Sequence, residues 1–396
     1  MADTYGPTLD RIKAQGGQKS KLGTAALMWI CHSERELRAE ELCHALVMET
    51  GSADYNVDDA PSIQSVLSHC QGLVVVDEGS IVRLTHPGLL EYMVSHGSFF
   101  QSPHSTIAET CLRYLNSQRV MALTGSSVQS TEHPPFLEYS SLYWGAHMKK
   151  ELSDRGKSLA MKLFRHYECH ISIRPLLERR ISRSQLSSCA DFHKFTGLHC
   201  ASMFGLVEVV RALARMDGVD INGVDETGAT PLLWAAWKGH EVVVKLLLGW
   251  KGVDPDRPEN DRRTPIMWAA GNGHEAVVKL LLGREDVNPN KTDVWDRTAI
   301  SWAASTGQEA VVKLLLGRED VSPDRPDVYK QAPISLAAKG GHVEVVKLLL
   351  GRNDVNPHRI DSKGRTPISL ATENGHDAVV RLFHGRKKAN PSKSKV

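Results

Sequence analysis

From residue 196 onward, apolar and polar positions recur in one fixed phase. A short apolar run at Leu232, Ala235 and Ala236 is broken by Lys238-Gly239-His240, and Val242, Val243, Leu246 and Leu247 follow. Apolar residues at i, i+3 and i+4 predict two short helices joined by a turn, each with one sticky face. The same phrase starts near residues 196, 230, 264, 298, 332 and 366, each 34 after the last. The turn glycines Gly205, Gly239, Gly273, Gly307, Gly341 and Gly375 keep that step. A fixed period of this size predicts a stacked array, because one helix pair cannot bury its apolar face without a neighbour.

Local chemistry agrees with this phasing. Thr230 suits an N-cap, since its hydroxyl can accept from an orphan amide of the first turn. Pro231 suits the first helical position, where no amide donor is required. Gly249 stands where a left-handed C-cap is expected. Val253-Asp-Pro-Asp-Arg-Pro258 cannot be helical and predicts an extended finger leading to the next copy.

The pattern Thr-Pro-Leu-x-x-Ala-Ala-x-x-Gly-His-x-x-Val-Val-x-x-Leu-Leu resembles the ankyrin repeat over residues of about 192 to 396. The copies run one residue longer than the usual repeat. The usual histidine of Thr-Pro-Leu-His survives only as His199. The finger glycine survives as Gly228 and Gly364 but is Arg262, Asp296 and Lys330 in between, which should cost roughly 1 kcal/mol at each left-handed position. The resemblance implies a protein-binding solenoid.

The first half reads differently. Thr24 to Cys31, Ala39 to Met48 and the stretch from Asp59 predict three helices, the last with an acidic cap and an early proline. Leu73 to Asp77 and Ser80 to Leu84 are β-branched runs around Glu78-Gly79, a hairpin signal. Three helices and a terminal hairpin describe a winged helix. Ala-Leu-Met-Trp-Ile-x-His-Ser-Glu-Arg, Glu-Glu-Leu-Cys-His-Ala-Leu and Cys-Gln-Gly-Leu-Val-Val-Val-Asp resemble the winged-helix segment of fungal NACHT–ankyrin proteins, which are NLR-like signalling ATPases. The expected organisation is a linker at 1–23, a winged helix at 24–98, a helical connector at 99–190, six repeats at 191–385 and a basic tail at 386–396. The fold class is mostly α: a solenoid of ankyrin type preceded by a helical connector and a small winged helix.

Composition narrows the function. The net charge of +2 supplies no global attraction to polyanions. Seven cysteines, odd in number and never in Cys-x-x-Cys, suggest free thiols and a reducing compartment. No apolar run approaches a spanning helix, and residues 1–5 carry no leader signal. The expected location is the cytoplasm, with the nucleus as the alternative, and no membrane partner.

Chemistry-bearing candidates are few. Gly16-Gly-Gln-Lys-Ser20 lacks the spacing of a phosphate loop and reads as a solvated linker. By resemblance, His86 occupies the place where such ATPases sense the nucleotide phosphate. No Walker motif accompanies it, so the nucleotide-binding module would lie outside this sequence or be lost. His86 then reads as a partly buried residue at a helix start. A DNA reader needs cations on the third helix and wing. Ser62 to Cys70 has none, and Arg83 faces Asp77 and Glu78, so nucleic acid is an unlikely partner. His166, Cys169 and His170, with Cys189, His193, His199 and Cys200, show no four-ligand spacing. No catalytic residue, cofactor or metal is expected.

Trp234, Trp268 and Trp302 share one slot, continued by Leu336 and Leu370, and read as a ladder in or near the core. Positions just after the alanine pair vary from copy to copy, as do the finger tips. Trp237, Lys238, Asn260, Asp261, Asn272, Trp295, Thr306, Tyr329, Lys339 and Glu373 therefore form the expected partner-binding set on the concave face, with Trp237, Trp295 and Tyr329 as anchors. The alternative is drift at exposed positions. The expected function is a non-enzymatic interaction module, the sensor half of an NLR-like protein, with a NACHT ATPase supplied in trans. The competing readings are an ATPase, a DNA-binding regulator using the winged helix and tail, and a plain structural adaptor.

Overall fold

The computed structural model describes residues 5–49, 59–95, 99–123, 134–165, 167, 170–178 and 194–389. The chain divides into two compact units, Met1–Gly197 and Leu198–Val396. Among the described residues no helix is long and apolar enough to cross a membrane.

In the first unit, α1 (Gly6–Ala14) and α2 (Gly17–His32) precede α3 (Ala39–Glu49) and α4 (Ile63–His69). Residues 6–14 and 17–22 are thus helical where a linker was expected. Leu9 and Ile12 bury the inner stripe of α1, and Gly17 opens α2 where a solvated loop was expected. The cap of α4 is Ser62, whose hydroxyl accepts from Ser65 N at 3.2 Å, and not the acid at position 59. Strands β1 (Val74–Val76) and β2 (Val82–Leu84) pair antiparallel with Val74 opposite Leu84. Asp77 Oδ1 closes their turn, accepting from Gly79 N and Ile81 N, each at 2.9 Å.

Helices α5 (Pro87–Ser95), α6 (Pro103–Leu115), α7 (Gln118–Met121), α8 (Leu137–Lys150), α9 (Asp154–Phe164) and α10 (Ile173–Glu178) follow among the described residues of this unit. Trp29 of α2 is fully buried and meets Phe136 and Tyr139 edge-on at 5.6 and 5.9 Å. Its indole N–H donates to Glu49 Oε2 at 2.9 Å, so the buried polar atom is satisfied. His86 is exposed just ahead of α5, not partly buried. Cys31, Cys43, Cys70, Cys111 and Cys200 are free thiols. Burial pushes Cys31 and Cys70 up to about 12 and Cys43 to about 11, which leaves them unreactive. Cys169, Cys189, His166, His193, the serine-rich loop at 125–131 and most of the basic tail lie outside the described residues.

The second unit is built on six helix pairs. Five inner helices, Pro231–Trp237, Pro265–Gly271, Ala299–Ser305, Pro333–Gly340 and Pro367–Glu373, follow the inner Gly197–Phe204. Each is trailed by an outer helix, from Val207–Leu213 through Asp377–Ala389. The inner helices put alanines at their contacts and pack more extensively on one another than the outer helices do. Each of the four middle outer helices buries two valines and a leucine, such as Val277, Val278 and Leu281. Each such side chain contributes roughly 1.5–3 kcal/mol that an isolated helix would forgo.

The Gly-His pair joins neighbours. Gly239 adopts φ +71°, and a Cβ there would stand 2.5 Å from His274 Nδ1 of the next copy. That ring donates from Nε2 to Trp237 O at 2.9 Å. The same bond recurs at His240 to Met203 O, His342 to Ser305 O and His376 to Lys339 O. A second joint comes from the Gly-Arg-Glu-Asp connections. Arg284 and Arg318 each donate to a carbonyl at the preceding outer helix C-terminus, Leu248 O and Leu282 O, at 3.0 Å. Asp286 and Asp320 hold these guanidiniums in place.

Some expectations about caps need correction. Thr230 and Thr366 do cap their helices, accepting from Leu233 N and Ser369 N. Thr264 and Thr298 make no such bond. Gly249 is right-handed at φ −77°, because the helix tightens and Gly249 N reaches Lys245 O and Leu246 O. The left-handed glycine in that connection is Gly252, at φ +85°.

The missing finger glycines have the expected consequence. Arg262, Asp296 and Lys330 sit at φ 60°, 57° and 60°, matching Gly228 at 78° and Gly364 at 77°. Lys330→Gly should therefore stabilise the array by about 0.5–1 kcal/mol, after allowing for the looser unfolded chain. The check is a denaturation midpoint that rises with its slope unchanged.

Candidate interaction surface

Each finger is built around an acid that sequence reasoning missed. Asp225, Glu259, Asp293, Asp327 and Asp361 recur at the repeat period and are all buried. Asp293 Oδ1 accepts from Trp295 N at 2.9 Å and Arg297 N at 2.8 Å, folding the finger tip over itself. Its Oδ2 accepts from Trp302 Nε1 at 3.0 Å. Asp225 treats Trp234 in the same way at 2.7 Å, and Glu259 accepts from Trp268 at 2.9 Å. Where the slot becomes leucine, cations replace the indole: Arg297 reaches Asp327, and Arg365 reaches Asp361. Burial opposes ionisation of Asp361. The amides of Arg365 and Lys363, with Gln331 and the Arg365 guanidinium, outweigh it and hold the carboxyl well below its ordinary range. The signal for these acids was the period itself.

Backbone bonds tie finger to finger. Asn260 N donates to Thr227 O, Val294 N to Asp261 O, Val328 N to Trp295 O and Ser362 N to Tyr329 O, all at 2.9–3.0 Å. The tips thus form a ladder beside the inner helices.

On that framework lies a row of aromatic and cationic groups. Trp234 is fully buried beneath Trp237, with ring centroids 5.2 Å apart. Trp237 meets Trp268 edge-on at 5.6 Å and carries Lys238 Nζ 3.9 Å above its ring. Arg263 Cζ sits 4.9 Å from Trp268, 5.0 Å from Trp295 and 4.8 Å from Trp302. The negative ring faces attract the guanidinium, by about 0.5–1 kcal/mol per pair at exposed sites and more where the cation is largely desolvated, as Arg263 is at 15% exposure. Its nearest acid, Asp261, is loosely paired at 3.8 Å. Within the ladder expected in or near the core, Trp234 is buried whereas Trp268 and Trp302 are half-buried at its edge. The residue three positions on decides this: Trp237 covers Trp234, whereas Gly271 and Ser305 leave Trp268 and Trp302 open.

The ten expected residues fall unevenly on this surface. All are exposed or half-buried. Trp237, Lys238, Asp261 and Trp295 join the row. Asn260 braces the preceding finger, donating from Nδ2 to Glu226 O at 3.1 Å. Asn272 and Thr306 bond backbone carbonyls, Trp268 O at 2.8 Å and Gly271 O at 2.9 Å. Tyr329, 51% exposed, and Lys339 lie in the next repeat. Glu373 is paired with Arg365 at 3.3 Å in the last repeat. Arg263, Trp268 and Trp302 were not on the expected list.

Comparison with known proteins accords with this geometry. A family model described as "Ankyrin repeats (3 copies)" matches residues 172–259, 241–327 and 318–394, more than half of the chain. The chain belongs to the ankyrin-repeat family. A second model, described as "GPI inositol-deacylase, winged helix domain", matches residues 9–103, so the first unit holds a winged helix of that type. The match begins within α1, in keeping with helices at 6–14 and 17–22. Among curated proteins, the chain is similar to the transient receptor potential cation channel subfamily A member 1 of Drosophila melanogaster. The two are 47% identical over 55 residues, which is 13% of this chain and 4% of the fly protein. The ankyrin repeats supply a protein-interaction architecture.

Proposed function

We propose that the ankyrin array binds a partner protein on the row formed by Trp237, Trp268, Arg263, Trp302 and Trp295. The observation that carries this reading is Arg263, caged by three indoles and only loosely paired with its acid. A carboxylate from a partner would complete its pairing, and apolar groups beside that carboxylate would cover the indoles. Aromatic and arginine anchors of this kind dominate interface energetics.

The order of the domains supports a finer reading as well. A winged helix ahead of ankyrin repeats suits the regulatory half of an NLR-like protein, with a NACHT ATPase acting in trans. DNA reading has less support: α4 carries no Lys or Arg, and Arg83 is held by Glu36 and Asp77 at 3.0 and 3.4 Å.

The test is affinity capture with the full chain, followed by titration of whatever partner is retained. Arg263→Ala combined with Trp295→Ala should weaken binding by about 2 kcal/mol or more, roughly 30-fold. Arg263 is 15% exposed and Trp295 half-buried, so the thermal melt should fall somewhat, and binding is compared at a temperature where both proteins are folded. Equal binding by variant and wild type would place the interface elsewhere. Recovery of a NACHT ATPase among the retained proteins would favour the NLR-like reading.

A further inference from the structure

Three potential metal ligands converge within the first unit, far from the ankyrin surface in sequence. Glu34 lies in the loop after α2, His104 in the first turn of α6 and His147 in the last turn of α8. One ligating atom from each lies within 4.8 Å of the other two. His104 Nδ1 and His147 Nδ1 are 2.8 Å apart. His147 is fully buried, and its ring is fixed from behind by Tyr139 Oη, 2.9 Å from Nε2. That hydroxyl accepts from Glu34 N at 3.1 Å, so the same tyrosine positions both the histidine and the loop that carries the acid. The ring of His32 stands edge-on 5.4 Å from His104. Lys150 pairs with Glu34 at 2.7 Å and is the nearest cation.

We propose that Glu34, His104 and His147 bind one divalent transition metal of the zinc class, through Nδ1 of each histidine and one carboxylate oxygen. Two imidazoles and a carboxylate suit zinc and its neighbours, not calcium or magnesium, which take oxygen ligands. Ligand atoms around a tetrahedral zinc stand about 3.3 Å apart. The imidazoles need to open by roughly half an ångström, and the carboxylate to close in by up to about 1.5 Å. Glu34 sits on a loop, and its second oxygen can keep Lys150.

The protons balance without loss. In the metal-free arrangement Tyr139 donates to His147 Nε2, and His147 Nδ1–H donates to His104 Nδ1. With metal bound, His147 shifts its proton to Nε2 and donates to Tyr139, whose own proton turns to the Ser33 hydroxyl beside it. Both imidazoles are held neutral, with lone pairs available. Burial first, then the neighbouring His104 and Lys150, brings His147 down to about 3, and burial and Lys150 lower His104. An outer hydrogen bond that fixes tautomer and ring angle is the usual companion of a histidine ligand. The metal would staple the loop after α2 to α6 and α8.

The sequence-based expectation was that no metal binds, because His166, Cys169 and His170, with the later Cys and His residues, show no four-ligand spacing; Glu34, His104 and His147 carried no signal in the sequence. The test uses the full chain, stripped with a chelator and titrated with Zn²⁺ against a chromophoric competitor. Wild type should take up one equivalent. His104→Ala, at a half-buried position, should lose more affinity than the roughly 10–100-fold expected for removing an outer-sphere partner, with binding read on folded protein because the change also strands a donor of buried His147. Tyr139→Phe should fall within that range. Glu34→Gln, at the surface, should weaken binding with the melt unchanged. A variant lacking His166 and Cys169 should bind as wild type does. The proposal is overturned if folded wild type binds no equivalent, or if His104→Ala and Glu34→Gln bind as tightly as wild type. The cluster would then be a tyrosine–histidine–histidine hydrogen-bond chain alone.

Discussion

Asp293→Ala should destabilise the array by about 3–5 kcal/mol, the largest loss expected from any single truncation in the fingers. The wild-type carboxylate is fully buried and accepts three hydrogen bonds, from Trp295 N, Arg297 N and Trp302 Nε1. Bonds to a charged acceptor are each worth about 1.5–3 kcal/mol, and removing the acceptor strands the donors. The indole of Trp302 is half-buried and can recruit water, so the two amides carry most of the loss. Asp293→Asn should cost less, about 1–2 kcal/mol, because its carbonyl still serves the amides while its amide nitrogen opposes the indole N–H. Denaturant titration of the full chain measures both. Equal losses for the two variants would show that charge, not the acceptor geometry, matters. Limited proteolysis adds a positional readout: cleavage should appear near residue 295 in Asp293→Ala first, since this finger holds its neighbours through Asp261 O and Val328 N.

Gly239→Ala should cost about 2–4 kcal/mol, and the comparison with Gly375→Ala separates its causes. A left-handed alanine costs about 1–2 kcal/mol wherever it stands. At Gly239 the new methyl also strikes the His274 ring at 2.5 Å, and that ring is anchored to Trp237 O. Displacing it forfeits a hydrogen bond, a further 0.5–1.5 kcal/mol or so, and loosens the contact between two repeats. Gly375 has φ +75° with nothing within 4 Å of its position, so Gly375→Ala should show the backbone penalty alone. Matching midpoint shifts for the two would remove the histidine joint from the account.

The helix pairs, their phase and their turn glycines were all readable from the sequence. Each follows from a periodic apolar pattern and from one residue type with one backbone role. The winged helix was readable too, since Leu73–Asp77 and Ser80–Leu84 alternate around a turn. What escaped depended on neighbours. Trp234, Trp268 and Trp302 are the same letter at the same phase, yet only Trp234 is covered, because position 237 holds an indole and positions 271 and 305 hold Gly and Ser. Arg263 carried no local signal, because the three indoles that close around it come from two repeats. The helices at 6–14 and 17–22 were hidden by polar, glycine-containing composition; Leu9 and Ile12 are buried all the same. Glu34, His104 and His147 lie too far apart in the chain for any spacing rule to collect them.

The joint between Gly239 and His274 has a counterpart in the earlier Gly205–His240 pair and in the later Gly307–His342 and Gly341–His376 pairs. A unit inserted in register therefore presents the same glycine–histidine contact at four of the five joints; at the other, Gly273 meets Gln308. In-frame gain or loss of 34 residues that keeps the glycine–histidine pairing asks for little new complementary surface, so the fold can accept a change in repeat number. What such an event would alter is the row of indoles, whose members differ from unit to unit. The architecture separates a part that tolerates copying from a part that copying rewrites.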